Sequence, residues 1–501
     1  MQHSKGIQIT LAEHAATQTA PTDAVAVGIF TDEPHLSAAT TINDALRRTI
    51  ESLAHDGEFK GEEDECALFH FSDPATGVRR VLLVGLGSRA EFGAATLRRA
   101  VGVAVRRARE SRVKRLRFVL PEGETPSELV RVVAEGAHLG VYENDLYQSN
   151  ADDDEAQATL EELTIIAPVQ DNAMRAALER ARVVAESVNW ARTLVDEPGA
   201  SLPPREFARR AAEMAEEFGL TVETLDAAEI RARGMGGLWG VGQGSDEPPA
   251  LIVVRYEPEG ASDADELWAF VGKGITFDTG GISIKPAKDM EEMKSDMAGG
   301  AAALGALRAI AQLKLKRRVV AVVPSAENMP SGRSLKPGDV VRTLAGYTIE
   351  VVDTDAEGRL VLVDGIAYAK QLGATRIVDL ATLTGSIIVA LGDHRTGLFS
   401  NDDEWAARVD AAAERAGEPA WRMPVSDDYK KKIESPIADF KNYGGRPDAT
   451  AAALLLSKFA AETPWVHLDI AATSWHEEAQ PHAPAGATGT GVRTLVELAG
   501  S

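Results

Sequence analysis

The sequence predicts an α/β protein in two domains: a smaller N-terminal α/β domain over 1–170, a linker helix over 171–200, and a larger α/β domain over 201–501. Three observations predict it. A chain of 501 residues is too long for one ordinary core. Its strand-like and helix-like runs alternate, which is the pattern of layered α/β domains. A long helical pattern, DNAMRAALERARVVAESVNWARTLV from Asp171, ends at the Pro-Gly-rich break EPGASLPP, as a bridge between two cores does.

Taken in order, IQITLAE, AVAVGIF, CALFHF, VLLVGLG and LRFVL read as strands, interleaved with the helical TTINDALRRTIESLA, AATLRRAVGVAVRRARES and SELVRVVAEGAHLGVY. The acid run from Glu143 to Gln157 reads as a solvated loop before one more strand, LTIIAPV. Beyond the bridge, REFARRAAEMAEEFGL is a helix ended by Gly219, and TVETLD, LIVVRYE and LWAFVGKG are strands.

Apolar residues at 44% and charged residues at 26% are those of a soluble globular chain. The formal charge of -23 argues against nucleic acid or an anionic membrane as partner, since lysine and arginine hold phosphate. Only a local cluster such as Arg106-Arg107-Ala-Arg109 could oppose that. A single cysteine, Cys66, excludes an intrachain disulfide and a cysteine-rich zinc site, and fits a reducing compartment. The N-terminus lacks the pattern of a signal peptide, and the longest apolar run, near Ile377 to Leu391, is broken by Asp379 and too short for a span. The expectation is a cytoplasmic protein with no membrane partner.

Several familiar motifs fail. Gly85-Leu-Gly87 follows a strand, but no acid closes a following strand as a dinucleotide site requires, so it reads as a tight turn. His476-Glu477 begins a zinc-peptidase helix motif, yet Gln480 stands where the second histidine belongs. There is no GxSxG elbow and no P-loop.

Val351 to Leu360, VVDTDAEGRL, packs three acids, a glycine and an arginine into a few residues. If extended, it points Asp353, Asp355, Glu357 and Arg359 to one side, and such crowded acids want either water or a cation. A calcium loop is one reading, with Asp353, Asp355, Glu357 and Asp364 near the right register, but the preceding YTIEVV is strand-like where a helix is needed. About eighty residues upstream, Lys273, Asp278, Lys285 and Asp296 lie among glycine turns next to buried strands, where ligands bind in α/β sheets.

These segments resemble the leucyl aminopeptidases, the cytosol aminopeptidase family of two-metal peptidases. The resemblance rests on GKGITFDTGGISIKP, Asp296-Met-Ala-Gly-Gly, ENMPSGRSLKPGDV, DTDAEGRLVLVDGI, Asp379-Leu-Ala-Thr-Leu-Thr-Gly385, SPIADFKN, HLDIA and GATGTGVRTLVEL. One departure stands out: the family usually carries Asn where this chain has Asp353.

The resemblance implies a catalytic C-terminal domain on a central mixed sheet and two divalent ions per subunit, manganese or zinc first among them. Asp278, Asp355 and Glu357 would hold one ion, and Lys273, Asp278, Asp296 and Glu357 the other. Lys285 would polarise the scissile carbonyl, and Arg359 would hold a bicarbonate ion acting as general base. Met293, Thr382 and Gly385, with Asp296 at the free amine, would bind the substrate, a peptide with a free N-terminus and an apolar, leucine-like first residue. A homohexamer is implied in the same way.

Overall fold

The computed structural model describes residues 6–13, 22–33, 44–70, 78–121, 125–148, 160–167 and 170–501, so 149–157 of the acid run lie outside the described residues. Two compact units result, Met1–Glu186 with Glu477–Ala485, and Ser187–His476 with Gly486–Ser501.

The first unit contains β1 (Gln8–Glu13), β2 (Ala24–Ile29), α1 (Asp44–His55), β3 (Cys66–His70), β4 (Arg80–Gly85), α2 (Ala94–Glu110), β5 (Arg115–Val119), α3 (Pro126–Gly140) and β6 (Glu162–Ala167). Its sheet runs β1-β6-β5-β2-β4-β3, parallel except for β3. α2 and α3 bury Val101, Val105, Val130 and Val133 against one face. Gly85 to Gly87 is the turn expected there, with Gly87 left-handed. The cluster Arg106-Arg107-Ala-Arg109 is not a free basic patch. Arg106 and Arg109 both bind Glu143, and Arg107 pairs with Glu110.

The long helical pattern forms α4 (Asn172–Asp196), which carries the chain into the second unit. There follow α5 (Pro204–Phe218), closed by a left-handed Gly219, β7 (Thr221–Leu225), α6 (Ala227–Ala232), α7 (Gly236–Gly242) and β8 (Ala250–Tyr256). Next come β9 (Leu267–Gly272), β10 (Gly274–Asp278), α8 (Ala298–Gln312) and β11 (Arg318–Asn328). The short β12 (Val340–Arg342) and β13 (Thr348–Glu350) lead to α9 (Gly358–Gln371), β14 (Arg376–Ala381) and α10 (Gly385–Leu391). β15 (Thr396–Ser400), α11 (Asp403–Ala416), β16 (Ala420–Arg422), β17 (Phe440–Lys441), α12 (Asp448–Ala460), β18 (Trp465–Asp469) and α13 (Val492–Ala499) complete the core.

The larger sheet runs β16-β15-β18-β14-β9-β11-β8-β7, with β10 beside β11. It is mixed: β9, β11, β14 and β18 are parallel, whereas β8 is antiparallel to both β11 and β7, and β15 is antiparallel to β18 but parallel to β16. β9 is buried at every residue, as a central parallel strand is when helices cover both faces. Its Leu267, Ala269 and Val271 join the apolar cluster that includes Leu360 and Val363 of α9. On the other face Trp268 stacks edge-on against Trp405 of α11, 4.8 Å between ring centres. The parallel strands therefore end together, and β9, β10, β11, β14 and β18 deliver Lys273, Asp278, Asn328, Thr382 and Asp469 to one edge of the sheet.

Candidate active site

The acidic stretch is not extended. Residues 351–357 form a loop after β13, Glu357 already has helical angles (φ −80°, ψ −32°), and α9 begins at Gly358. Side-chain alternation therefore fails here: Asp355 and Glu357 reach the sheet edge, while Asp353 and Arg359 go elsewhere. One carboxylate oxygen from each of Asp278, Asp355 and Glu357 comes within 4.8 Å of the others. Asp364 is far from that role. It lies fully buried in α9, accepting the backbone N–H groups of Leu238 (2.9 Å) and Leu344 (2.8 Å), which rules out the calcium-loop reading.

Two lysines penetrate the acids. Lys273 Nζ, in the break between β9 and β10, lies 2.8 Å from both Asp296 and Glu357 and donates to the Thr382 carbonyl at 3.0 Å. A Cβ on Gly358 would come within 2.9 Å of Lys273 Cε and Nζ, so glycine opens the helix for steric reasons. Lys285 Nζ lies 2.8 Å from Asp278 Oδ2 and also bonds Asp355. Asp296, at the end of the turn Met290–Ser295, accepts from Thr382 Oγ1 at 2.7 Å.

Two ammonium groups thus face four carboxylates, and the imbalance shows in their titration. Burial and then Asp278 push Glu357 up to about 8, against the pull of Lys273. Burial likewise raises Asp296 to about 6 and lifts Asp355. Burial pushes Lys273 and Lys285 down, but the surrounding carboxylates outweigh it and hold both above an ordinary lysine. Glu357 Oε2 is buried with no hydrogen-bond partner. An acid-rich donor set with an unpartnered buried oxygen, and an amine that ligates once deprotonated, fits divalent cations.

Asp353 makes a different contribution. Its Oδ1 accepts the backbone N–H of Asp355 at 2.9 Å and shapes the loop, a bond that an asparagine oxygen would make equally well. Arg359 turns away from the acids. Its Nη1 donates to the Asn442 carbonyl (2.7 Å) and Asp448 Oδ1 (3.0 Å), and its Nη2 to Asp448 Oδ2 (3.1 Å). Its Nε is buried without a hydrogen-bond partner among the described residues, so a second fork of the guanidinium, Nε with the other Nη2 hydrogen, remains for an anion such as bicarbonate. Met293 is half-buried in the turn before Asp296, and Gly385 is the exposed first residue of α10.

Four positioning groups went unread in the sequence. Asn328 donates to Asp278 Oδ1 and to the Thr354 carbonyl, joining both halves of the acid cluster. Asn442 Oδ1 accepts from Val352 and Asp353, and its amide donates to the carbonyls of Asp353 and Ala356. Asp469 fixes the Thr382 loop through Leu383 N and Thr384 Oγ1. Asp448 is the fourth. Asn328, Asn442 and Asp469 belong to the motifs ENMPSGRSLKPGDV, SPIADFKN and HLDIA, and that membership was the available signal.

The catalytic domain of the cytosol aminopeptidase family matches residues 189–496, and the family's N-terminal domain matches 26–151. The chain belongs to the cytosol aminopeptidase family. A "Probable cytosol aminopeptidase" of Acidobacterium capsulatum is 45% identical over 487 residues, covering 96% of this chain and 94% of the relative. Another, of Solibacter usitatus, is 48% identical over 450 residues, covering 90% and 92%. Among solved structures, the bottromycin maturation enzyme BotP in complex with Mn matches with a TM-score of 0.84 and 37% identity, covering 96% of this chain and 99% of that one. A mutant of tomato leucine aminopeptidase matches with a TM-score of 0.89 and 31% identity, covering 100% and 97%. Membership makes this protein an aminopeptidase, a peptide hydrolase. Among the described residues no helix is long and apolar enough to cross a membrane.

Proposed function

We propose that this family member removes N-terminal leucine and other apolar residues from peptides at a centre for two divalent ions, with manganese or zinc as the metals. The observation that carries the reading is the convergence of Asp278, Asp355 and Glu357 within 4.8 Å, with two lysines lodged among the acids. When bound, the ions supply Lewis acidity and an activated water. Asp278, Asp355 and Glu357 would hold one ion, and Lys273, Asp278, Asp296 and Glu357 the other.

The remaining chemistry belongs to the chain itself. Asp278 Oδ1 is engaged by Gly280 N and Asn328 Nδ2, both at 2.8 Å, which leaves Oδ2 to face the ions. Lys273 would have to give up its proton to serve as a ligand; burial favours that loss, and dications among the carboxylates would offset the attraction that otherwise holds the proton. Lys285 keeps its proton and stabilises the oxyanion that forms as the peptide carbonyl is attacked. Asp296, oriented by Thr382, takes the substrate's free amine, which restricts cleavage to the first residue. Met293, Thr382 and Gly385 line the side-chain pocket. Arg359 holds an anion beside this chemistry.

A homohexamer in the cytoplasm completes the proposal, supported by exposed apolar side chains at Val389, Trp421 and Ile437 that a subunit contact would cover. The deciding experiment is hydrolysis of a leucine chromogenic amide by chelated protein, with manganese, zinc, cobalt and magnesium restored singly. Activity is expected to return with at least one, and none with any of the four sinks the reading.

A further inference from the structure

Lys285 hangs from the loop 279–285 that follows β10, and apolar burial does not hold that loop. Its only apolar side chains, Ile282 and Ile284, are both exposed, so polar bonds have to fix its path. The ends are closed on each other, Lys285 N donating to the Thr279 carbonyl at 2.9 Å. The middle is fastened to a single residue of the acid loop, Thr354.

Thr354 is buried, and each of its hydrogen-bonding groups goes to this upstream half of the centre. Its hydroxyl donates to the Gly280 carbonyl at 2.7 Å and accepts the Ser283 N–H at 2.8 Å. Its backbone N–H donates to Ser283 Oγ at 3.1 Å, and its carbonyl accepts from Asn328 Nδ2 at 3.0 Å. A Cβ on the left-handed Gly281 would come within 3.1 Å of Thr354 Oγ1, so the two loops meet with no room for a side chain. Thr354 and Ser283 thus bond side chain to backbone in both directions. Such a clasp needs a group that donates and accepts at once, as a hydroxyl does.

We infer that Thr354 is a positioning residue for Lys285: by fastening the loop, it sets where the ammonium stands relative to Asp278 and Asp355. The inference rests on the peptidase reading, in which Lys285 stabilises the oxyanion. An ammonium on a flexible four-carbon stem takes its aim from the backbone beneath it, and a misplacement of about 1 Å costs on the order of 10²-fold in rate. Without the Thr354 hydroxyl, the Gly280 carbonyl and the Ser283 N–H lose their partner, and the loop is released just before Lys285.

The test compares wild type, Thr354→Val, Thr354→Ser, Lys285→Ala and the double variant Thr354→Val/Lys285→Ala on a leucine chromogenic amide with metal restored, and bound metal is counted in each. Valine keeps the shape and removes the hydroxyl, whereas serine keeps the hydroxyl. Thr354→Val is expected to lose roughly 10- to 100-fold in kcat, with KM and bound metal near wild type, because the donor it misplaces acts in the transition state. Thr354→Ser should recover most of that loss. On the Lys285→Ala background the valine substitution should cost nothing further, since the side chain it acts through is already gone. A residue that only stabilised the fold would show no such dependence. Hydrogen exchange over 280–285 is read alongside, and protection should be lost in Thr354→Val and kept in Thr354→Ser.

An undiminished rate in Thr354→Val would overturn the inference, and so would a loss of equal size on the Lys285→Ala background. Loss of bound metal in Thr354→Val would overturn it as well, because Thr354 would then be acting through Asp355. Should valine prevent folding, Ser283→Ala removes the return bond and is held to the same dependence on Lys285, with a loss of roughly 2- to 10-fold, the worth of one hydrogen bond. Exchange needs no turnover. A wild-type chain inactive with every metal refutes the peptidase reading, and exchange then decides the clasp: lost protection in Thr354→Val leaves it standing, and unchanged protection overturns it.

Discussion

Buried charge occurs in both units, and the two arrangements differ in kind. In the first unit Glu135, buried on α3, is satisfied on both oxygens: Arg98 reaches Oε2 through Nε and Nη2, each at 2.9 Å, and Arg131 reaches Oε1. Arginines keep their charge and bind carboxylates by forks, so this cluster is closed and structural. In the second unit the cations are lysines, they are fewer than the acids, and Glu357 retains an oxygen with no hydrogen bond. Lysine can surrender its proton where arginine cannot. A buried cluster with surplus acid and removable protons is built to exchange its cations, whereas a balanced one is built to hold two helices together.

That contrast can be broken at several points. The largest effect is expected from Glu357→Ala, which should remove metal binding and turnover together, read by metal analysis and by the leucine amide assay. Lys285→Ala should lower turnover by about 10² to 10³-fold with metal content unchanged, because an oxyanion donor is lost and no ligand is. Equal metal loss in both variants would contradict the separate roles. Asn442→Ala, which frees the 352–356 loop without touching an acid, should weaken metal affinity by roughly 10- to 100-fold in equilibrium dialysis.

The two units should also answer pH with opposite sign. Burial, opposed by Glu186 and aided by Arg182, lowers His138 on α3 from 6.5 to about 4. The folded unit therefore rejects a proton that the unfolded chain accepts, and its stability is full above 6.5 and lost as pH falls toward 4. The loss is on the order of 3 kcal/mol, read by amide exchange of α3 under denaturant, and His138→Gln should flatten it. In the metal-free catalytic unit, Glu357 and Asp296 are raised, so the folded state holds protons that the unfolded chain releases, and stability falls as pH rises above 4.5. Saturating metal should abolish that slope. The smallest effect belongs to Asp353→Asn, which keeps the loop bond to Asp355 N and should leave metal affinity and turnover near wild type.

The alternation of strands and helices, the long helix α4 and the acids of the candidate centre were legible because each has a local signature. Asp355 and Glu357 sit in a dense charged run, and Lys273 and Asp278 at the ends of buried strands. The stretch from Glu357 to Leu360 misled for a physical reason. α9 is buried on every side from Gly358 to Ala369, so it has no polar face and no helical periodicity to announce its start. Asn442, Asp448 and Asp469 were silent for another. The partners that matter at the site lie 83 to 90 residues away in sequence, and no spacing rule connects them.

The bonds from Asn442 to the acid loop also have a meaning in time. Synthesis proceeds at about 5–20 residues per second, so with 89 residues between Asp353 and Asn442 the loop leaves the ribosome roughly 4 to 18 seconds before its holder. During that interval a string of mutually repelling acids has no side chain to set its path. The candidate centre is therefore among the late parts of the second unit to be assembled, and a nascent chain cut short between Glu357 and Asn442 carries the acids without the side chain that holds their loop.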